Sequence, residues 1–142
     1  STMITIGWRE WGHLPALGIS NIHMKVDTGA KTSCLHAFQL EPFMKEGEEW
    51  LRIFVHPKQE SLEEHICEAR VYDKREVTDS GGHTEVRYVI KTRFVLGSFD
   101  QEVELTLTNR DTMKFRMLLG RQAMRGHFLV NPDASHLLGD VK

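Results

Sequence analysis

Apolar residues recur at every second position in three separate segments of this 142-residue chain, and this period of two constrains the fold more than any other feature. A β-strand projects successive side chains to opposite faces, so the alternation predicts strands with one buried face. Helical periodicity is weak and confined to residues 121–125, closed by Gly126. We therefore predict an all-β protein with one short helix near the C-terminus. The three alternating sets are Ile22, Met24 and Val26; Leu51, Ile53 and Val55; and Val103, Leu105 and Leu107.

A longer β-rich stretch runs from Glu85 to Leu96 and follows a pair of glycines, Gly81 and Gly82. Glycine readily adopts the positive φ that tight hairpin turns require. We therefore predict a β-hairpin that turns on Ser80, Gly81 and Gly82.

The composition is that of an ordinary globular protein, with 40% hydrophobic and 27% charged residues. No repeat or linker divides the chain, which predicts a single domain over residues 1–142. A formal charge of −2 argues against a nucleic-acid partner bound by bulk electrostatics. With two cysteines, no secretory signal and no apolar stretch of about 20 residues, we expect a cytoplasmic protein without a membrane partner. Two acidic stretches, 46–49 and 60–64, are expected to be solvated loops.

The segment that is most informative about chemistry is Val26-Asp27-Thr28-Gly29-Ala30, where the first alternating strand ends. A carboxylate at such a break lies in a tight turn, because glycine allows close backbone approach and threonine hydrogen-bonds locally. Asp-Thr-Gly by itself is also typical of a structural turn. The motif alone therefore leaves both a catalytic and a structural role for Asp27.

The order of three motifs along the chain narrows this choice. The Asp-Thr-Gly segment is followed by the glycine-tipped hairpin and then by Met-Leu-Leu-Gly-Arg at 117–121, an apolar strand that ends on glycine. This order resembles one lobe of the retropepsin-like aspartic peptidases. Asp27 and Gly120 are 93 positions apart, more than in compact viral retropepsins. We expect the additional residues in loops between Glu41 and Glu68.

At the level of a family, the resemblance extends over nearly the whole chain. Three segments resemble a bacterial and archaeal family labelled as ATP-dependent zinc proteases: 7–11 with Leu14 and Pro15, 25–33 with 35–37, and 118–124 with 128–130. That family is retropepsin-like and is found beside, or fused to, ATP-grasp glutamate ligases of the RimK type. The resemblance implies a retropepsin-like closed barrel with a flap hairpin, and a functional link to such a ligase.

The resemblance also implies an aspartic endopeptidase that acts as a homodimer. In this class one carboxylate is the general base to a water and the other is the general acid toward the scissile carbonyl. One lobe offers only Asp27, so the second carboxylate would be the partner subunit's Asp27. By family analogy, Thr28 locks the two turns together and Gly29 accepts the substrate backbone. This chemistry implies no cofactor.

Asp79 is a rival for the second carboxylate, because Asp79-Ser80-Gly81 spells the Asp-Ser-Gly form of the motif. It follows a polar segment, residues 75–78, instead of an apolar strand. We therefore assign Asp79 to the tip of the flap, where Gly81 and Gly82 let the hairpin flex over a bound peptide. Ser80 and His83 complete the flap side of the predicted substrate site.

A departure from the viral pattern at Lys31 bears on the substrate. Viral retropepsins commonly carry an acidic residue after Asp-Thr-Gly-Ala, paired with the arginine of the Gly-Arg motif, whereas Lys31 here faces Arg121. With Ala30 in the substrate-binding set, these cations and Arg125 or His83 favour an acidic peptide. The ligase association then predicts trimming of Glu-rich or polyglutamylated tails. The alternative, in which Lys31 points to solvent and Arg121 anchors the dimer, stays open.

The family's label also names zinc, so the histidines and cysteines are candidate metal ligands. No His-Glu-x-x-His motif is present. The best candidate set is Cys34 and His36 with His65 and Cys67, because alternate residues on a strand share a face. A one-residue spacing is uncommon for structural zinc, and a Cys34–Cys67 disulfide or two buried thiols are the alternatives. We predict no metal ligands. The remaining histidines are assigned to surface or satisfied core positions: His13, His23, His56, His83, His127 and His136.

Three functions therefore stay open from the sequence. The leading one is the aspartic endopeptidase, and the second is a catalytically silent domain that binds acidic peptides or regulates a glutamate ligase. A zinc-dependent hydrolase is the third. Dimerisation separates the first two, because a monomer cannot assemble the pair of carboxylates, and sensitivity to a chelator identifies the third.

Overall fold

The computed structural model describes residues 2–78, 81–109 and 114–140. Within these ranges the chain is nearly all β-structure, with one short α-helix and one turn of 3-10 helix at Pro15–Leu17. The strands are β1 (Ile4–Gly7), β2 (Arg9–Leu14), β3 (Ile19–Val26), β4 (Ser33–His36), β5 (Gln39–Lys45), β6 (Glu48–Val55), β7 (His65–Arg70), β8 (Asp73–Thr78), β9 (Thr84–Leu96), β10 (Phe99–Thr108), β11 (Met117–Leu119) and β12 (Phe128–Asn131); the helix α1 is Arg121–Met124.

Six strands close into a barrel in the order β10-β4-β11-β3-β2-β9, and the antiparallel pairing of β9 with β10 completes the ring. The short strand β11 lies between β3 and β4, parallel to β3 and antiparallel to β4. Leu119 is opposite Val26 in this arrangement. The predicted all-β closed barrel is confirmed, and the predicted helix ends one residue earlier than expected.

The alternating residues supply the core of the barrel. Ile22 and Met24 on β3 and Leu105 on β10 have no exposed surface, because the period of two sends these side chains to the barrel interior. One residue of the opposite face of β3 is also buried: His23 is only 7% exposed. It is covered by residues from distant parts of the chain.

Strands β8 and β9 form the predicted hairpin, with Thr78 opposite Thr84. Gly82 in the connecting turn has a φ of 85°, which favours glycine. Asp79 and Ser80, which the sequence also places in this turn, lie outside the described residues. The hairpin continues beyond the pairing of β9 with β10, because β9 pairs with β10 over residues 89–96 and with β8 over residues 84–89.

The expectation that the additional residues between Glu41 and Glu68 form loops is wrong for most of them, although the alternation at Leu51, Ile53 and Val55 had predicted β6 as a strand. They build most of a second antiparallel sheet, β5-β6-β7, in which Leu51, Ile53 and Val55 of β6 are buried. This sheet forms because β6 carries a complete alternating pattern and finds partners on both edges. The acidic stretch 46–49 is correspondingly a tight turn followed by the start of β6, whereas 60–64 is the expected loop.

The N-terminal and C-terminal strands pair with each other. Strands β1 and β12 run parallel, with Ile6 opposite Val130, as a two-stranded sheet beside the barrel. Residues 132–140, here named the C-terminal segment, then fold back across β1 and β2. The Trp8 N–H donates to the Ala134 carbonyl at 2.8 Å, and a Cβ on Gly7 would lie 2.3 Å from that oxygen. Glycine is therefore required at position 7 for the segment to approach.

Glu10 on β2 is the main polar anchor of the C-terminal segment. Its carboxylate is completely buried and accepts hydrogen bonds from three backbone N–H groups: Gly7 at 2.7 Å, Leu137 at 2.9 Å and Leu138 at 3.2 Å. A buried charge is tolerated where such donors replace its water shell. In the part of the chain that the structure describes, no helix has the length and apolar character of a membrane span.

Candidate active site

Asp27 lies where β3 leaves the barrel. Its backbone N–H donates to the Leu119 carbonyl at 2.9 Å, which continues the pairing of β3 with β11 by one residue. The Gly29 N–H then donates to Oδ1 of Asp27 at 3.0 Å, and the Ala30 N–H to the Asp27 carbonyl at 3.2 Å. The turn therefore orients the carboxylate and leaves it half-buried.

The Gly-Arg motif supports this turn from the other side. The backbone N–H of Arg121 donates to the Ala30 carbonyl at 2.8 Å, and its guanidinium Nη1 donates to the Thr28 carbonyl at 3.0 Å. The Gln122 N–H donates to the Lys31 carbonyl at 3.0 Å. The start of α1 thus holds the carbonyls of three residues in the loop that carries Asp27: Thr28, Ala30 and Lys31.

Gly120 permits this close approach. A Cβ at this position would lie 2.6 Å from the carbonyl carbon of Thr32 and 2.9 Å from the backbone nitrogen of Ser33, which no side chain can do without moving the backbone. The Gly120 N–H donates to the buried Ser33 hydroxyl at 3.0 Å. This contact of Ser33 was not predicted, although a hydroxyl residue at the start of a fully buried strand is a signal for such a hydrogen bond.

The predicted substrate-binding cations lie at the surface beside this turn. Lys31, Arg121 and Arg125 are all exposed, and Thr28 and Gly29 are exposed as well. Among the described residues, no ion pair joins Lys31 or Arg121 to a carboxylate. Arg121 therefore binds a main-chain carbonyl in place of the acidic side chain that viral retropepsins commonly carry.

The described flap residues follow the Asp27 turn by more than 50 positions in the sequence and belong to the hairpin β8–β9. Gly81, Gly82 and His83 are exposed at the tip of the hairpin β8–β9. The two other predicted tip residues, Asp79 and Ser80, fall outside the described ranges, so the rival carboxylate has no described position.

A family model described as the retropepsin-like aspartic endopeptidase RimB matches residues 5–138. The chain belongs to this RimB-like family. The match covers the Asp27 turn, the hairpin and the Gly-Arg motif together, as the sequence resemblance predicted.

Curated relatives of this RimB-like chain carry a ligase name. A protein of Parasynechococcus marenigrum and one of Shewanella halifaxensis, both named probable alpha-L-glutamate ligase, are 48% identical over 140 residues and 49% identical over 135 residues. These alignments cover 98% and 94% of this chain but only 30% of each relative, so the chain spans about a third of their length. A crystal structure of a Legionella pneumophila protein of unknown function has a TM-score of 0.78 and 25% identity, over 96% of this chain and 98% of that one.

The candidate zinc ligands do not fit a metal centre. Burial raises the pKa of the Cys67 thiol to about 11, which disfavours the thiolate that zinc requires. Nε2 of His65 is hydrogen-bonded to the Leu17 carbonyl at 2.7 Å. Cys34 and Cys67 are both free thiols, so the disulfide alternative is also not formed. Within the described ranges, no three His, Cys, Asp or Glu side chains group so that they could hold a metal ion.

A small cavity of about 250 Å³ adjoins the Asp27 turn on the side of the terminal strands. Thr28 forms one wall, and the apolar side chains of Met124, Phe128 and Val130 form much of the rest. The exposed Arg121 and Arg125 complete the lining. The cavity therefore connects the candidate active site to the pair β1–β12.

Proposed function

We propose that this chain is a single-domain aspartic endopeptidase that acts as a homodimer. The observation that carries the proposal is the half-buried Asp27 carboxylate, which the Gly29 N–H orients at the end of a barrel strand. A purely structural turn would not need the support that Gly120 and Arg121 add from α1. Membership of the RimB-like family agrees with this assignment.

The proposed reaction uses Asp27 and the partner subunit's Asp27, which share one proton because two adjacent carboxylates resist ionising together. The ionised carboxylate takes a proton from water as the water oxygen attacks the peptide carbonyl carbon, and the protonated carboxylate gives its proton to the carbonyl oxygen. A proton then passes to the amide nitrogen as the C–N bond breaks. The products are a carboxylic acid and an amine, and the pair returns to its starting protonation.

The terminal strands are the proposed dimer contact. In the described part of the chain, β12 pairs only with β1, so its other edge has no partner strand and a second copy can add strands there. Leu129 on β12 is 54% exposed, and the apolar cavity beside Thr28 lies next to the same strands. Burying these apolar side chains would stabilise the dimer and bring the two Asp27 turns together.

The proposed substrate is an acidic peptide. Lys31 and Arg125 are exposed cations beside the turn, and Arg121 has donors beyond the one that binds the Thr28 carbonyl. Fixed cations near a scissile bond attract carboxylates on the peptide. Because relatives that contain a similar segment are named glutamate ligases, we propose Glu-rich or polyglutamylated tails as the substrate class and a cytoplasmic ligase as the functional partner.

The test is mass-spectrometric profiling of products from a peptide library that includes Glu-rich tails, at one fixed protein concentration. Wild type is expected to cut at acidic sites, with or without a chelator. Asp27→Asn should lose at least about a thousandfold in rate because its amide cannot act as a base. Asp100→Asn, which changes an exposed aspartate on β10, is the matched control and should cut like wild type.

Two results would contradict the proposal. Cutting by Asp27→Asn at the wild-type rate would remove Asp27 from the chemistry. If wild type cuts nothing but still binds acidic peptides, the chain is a binding domain with a retropepsin-like fold.

A further inference from the structure

Two histidines meet between the barrel and the C-terminal segment. Nε2 of His23 on β3 lies 2.8 Å from Nε2 of His136, and the ring of Trp11 stacks on both, with centroid distances of 4.2 and 6.1 Å. The proposed peptidase reaction uses neither ring. A contact between two ring nitrogens requires that one carries a hydrogen and the other a lone pair.

Neighbouring groups decide which nitrogen is the donor. Nε2 of Gln59 donates to the Lys114 carbonyl at 2.8 Å, which directs the amide oxygen of Gln59 toward Nδ1 of His23 at 2.5 Å. An amide oxygen only accepts, so Nδ1 of His23 carries a hydrogen. Neutral His23 therefore presents a lone pair at Nε2, and His136 donates to it.

The two rings respond differently to an additional proton. On His136 the proton goes to Nδ1, and the contact with His23 is kept. On His23 it goes to Nε2, where it faces the hydrogen of His136, and the contact becomes repulsive. Burial lowers the pKa of His23; the positive charges of His136 and Arg9 lower it further, while the hydrogen bond to Gln59 and the charge of Asp140 act in the opposite direction.

The backbone of the C-terminal segment depends on this contact. His136 has a φ of 54°, in the left-handed region that residues other than glycine rarely adopt. Its N–H donates to the Arg9 carbonyl at 3.0 Å, and the next two N–H groups donate to Glu10. The paired rings therefore fix a strained residue at the point where the segment attaches to β2.

We propose that His23 and His136 form a pH-sensitive latch, which fastens residues 132–140 to the barrel at neutral pH and releases them when His23 takes a second proton. Above pH 6.5, the ordinary pKa of histidine, His23 is neutral in both the closed and the open form, and the latch holds. Below pH 6.5 the open form binds a proton that the closed form resists. The opening constant then rises up to tenfold per pH unit, until the closed form is protonated as well.

The latch is connected to the candidate active site through two hydrogen bonds. The Ala134 carbonyl accepts from Trp8 N–H, and the Trp8 carbonyl accepts from Val26 N–H, both at 2.8 Å. Val26 directly precedes Asp27. Release of the segment therefore removes support from the end of β3, and acidification loosens the turn that carries the carboxylate.

Hydrogen–deuterium exchange, followed by mass spectrometry from pH 7.5 to 5.0 and corrected for the intrinsic rate at each pH, tests the latch without a peptidase assay. In wild type, protection of the 136–138 amides should fall by up to tenfold per unit below pH 6.5, while peptides from β10 stay protected. His136→Gln should show no such fall, because a Gln amide can donate to neutral His23 or accept from protonated His23. His56→Gln, which also removes a ring stacked on an aromatic residue, is the matched control and should behave like wild type.

The proposal is overturned if protection of the 136–138 amides in wild type is constant over this range. It is also overturned if His136→Gln keeps the wild-type pH dependence, because a group other than this histidine pair then causes it. Should His136→Gln fail to fold, His23→Phe replaces it, since phenylalanine fills the same place against Trp11 and takes no proton. Exchange in this variant must then be independent of pH.

Discussion

The buried carboxylate of Glu10 offers the sharpest test of what holds the C-terminal segment. We expect Glu10→Gln to destabilise the protein, although the side chain keeps its shape. Oε2 accepts from Gly7 and Leu137, and Oε1 accepts from Leu138. A glutamine has only one oxygen, so its NH₂ group must face at least one of these N–H donors.

The expected loss of stability follows from these three hydrogen bonds. Two hydrogen bonds become neutral and lose about 1 kcal/mol each, and the third is lost, which costs about 1–3 kcal/mol for a buried donor without a partner. Relief from burying a charge offsets about 1 kcal/mol of this sum. The net loss in the free energy of unfolding is therefore about 2–4 kcal/mol.

Urea unfolding at pH 7.5 measures this loss. With a slope of about 2 kcal/mol per molar urea, the midpoint should fall by about 1–2 M. Glu64→Gln, on an exposed glutamate, is the control and should stay within about 0.5 kcal/mol of wild type. A loss below about 1 kcal/mol for Glu10→Gln would refute the idea that the carboxylate anchors the segment.

Two further predictions concern the terminal strands and the buried thiol. Leu129→Glu should raise the dimer dissociation constant at least about a hundredfold in sedimentation experiments, because it places a charge on the proposed interface. Met44→Glu, which changes an exposed apolar residue on β5, is the control and should leave the constant unchanged. If wild type and both variants are monomeric, the proposed interface is refuted. In a Cys34→Ser background, alkylation of Cys67 should keep rising with pH up to its pKa of about 11, because burial disfavours the thiolate; a plateau near pH 8.5 would contradict this.

Local patterns in the sequence were sufficient to predict much of the barrel. Each of these patterns lies within about ten residues of sequence. The alternation in β3 and β10 therefore predicted strands, and the paired glycines predicted the hairpin turn. The support of Asp27 by the Gly-Arg motif was also predictable, because the resemblance placed the two motifs together. The hydrogen bond from the Arg121 guanidinium to the Thr28 carbonyl was not predictable, because it depends on backbone positions that no residue pattern encodes.

The features that the sequence analysis missed depend on contacts between distant segments. Strand β6 was predicted from its alternation, but its partners β5 and β7 lie where loops were expected, because neither shows a clear alternating pattern of its own. For His23 the sequence left a surface and a satisfied core position open, and it is buried, because His136 and Phe115 cover it from the other end of the chain. Burial of a polar residue by a distant segment leaves no periodic signal.

The place of β11 between β3 and β4 has a consequence for synthesis of the protein on the ribosome. Until Met117–Leu119 has emerged, β3 and β4 lack the strand that separates them, and the Leu119 carbonyl that receives the Asp27 N–H does not yet exist. Pairings across such long sequence separations form late in folding. A nascent chain therefore exposes an unfinished barrel until residues 117–119 have left the ribosome, and the Asp27 turn is complete only from that point.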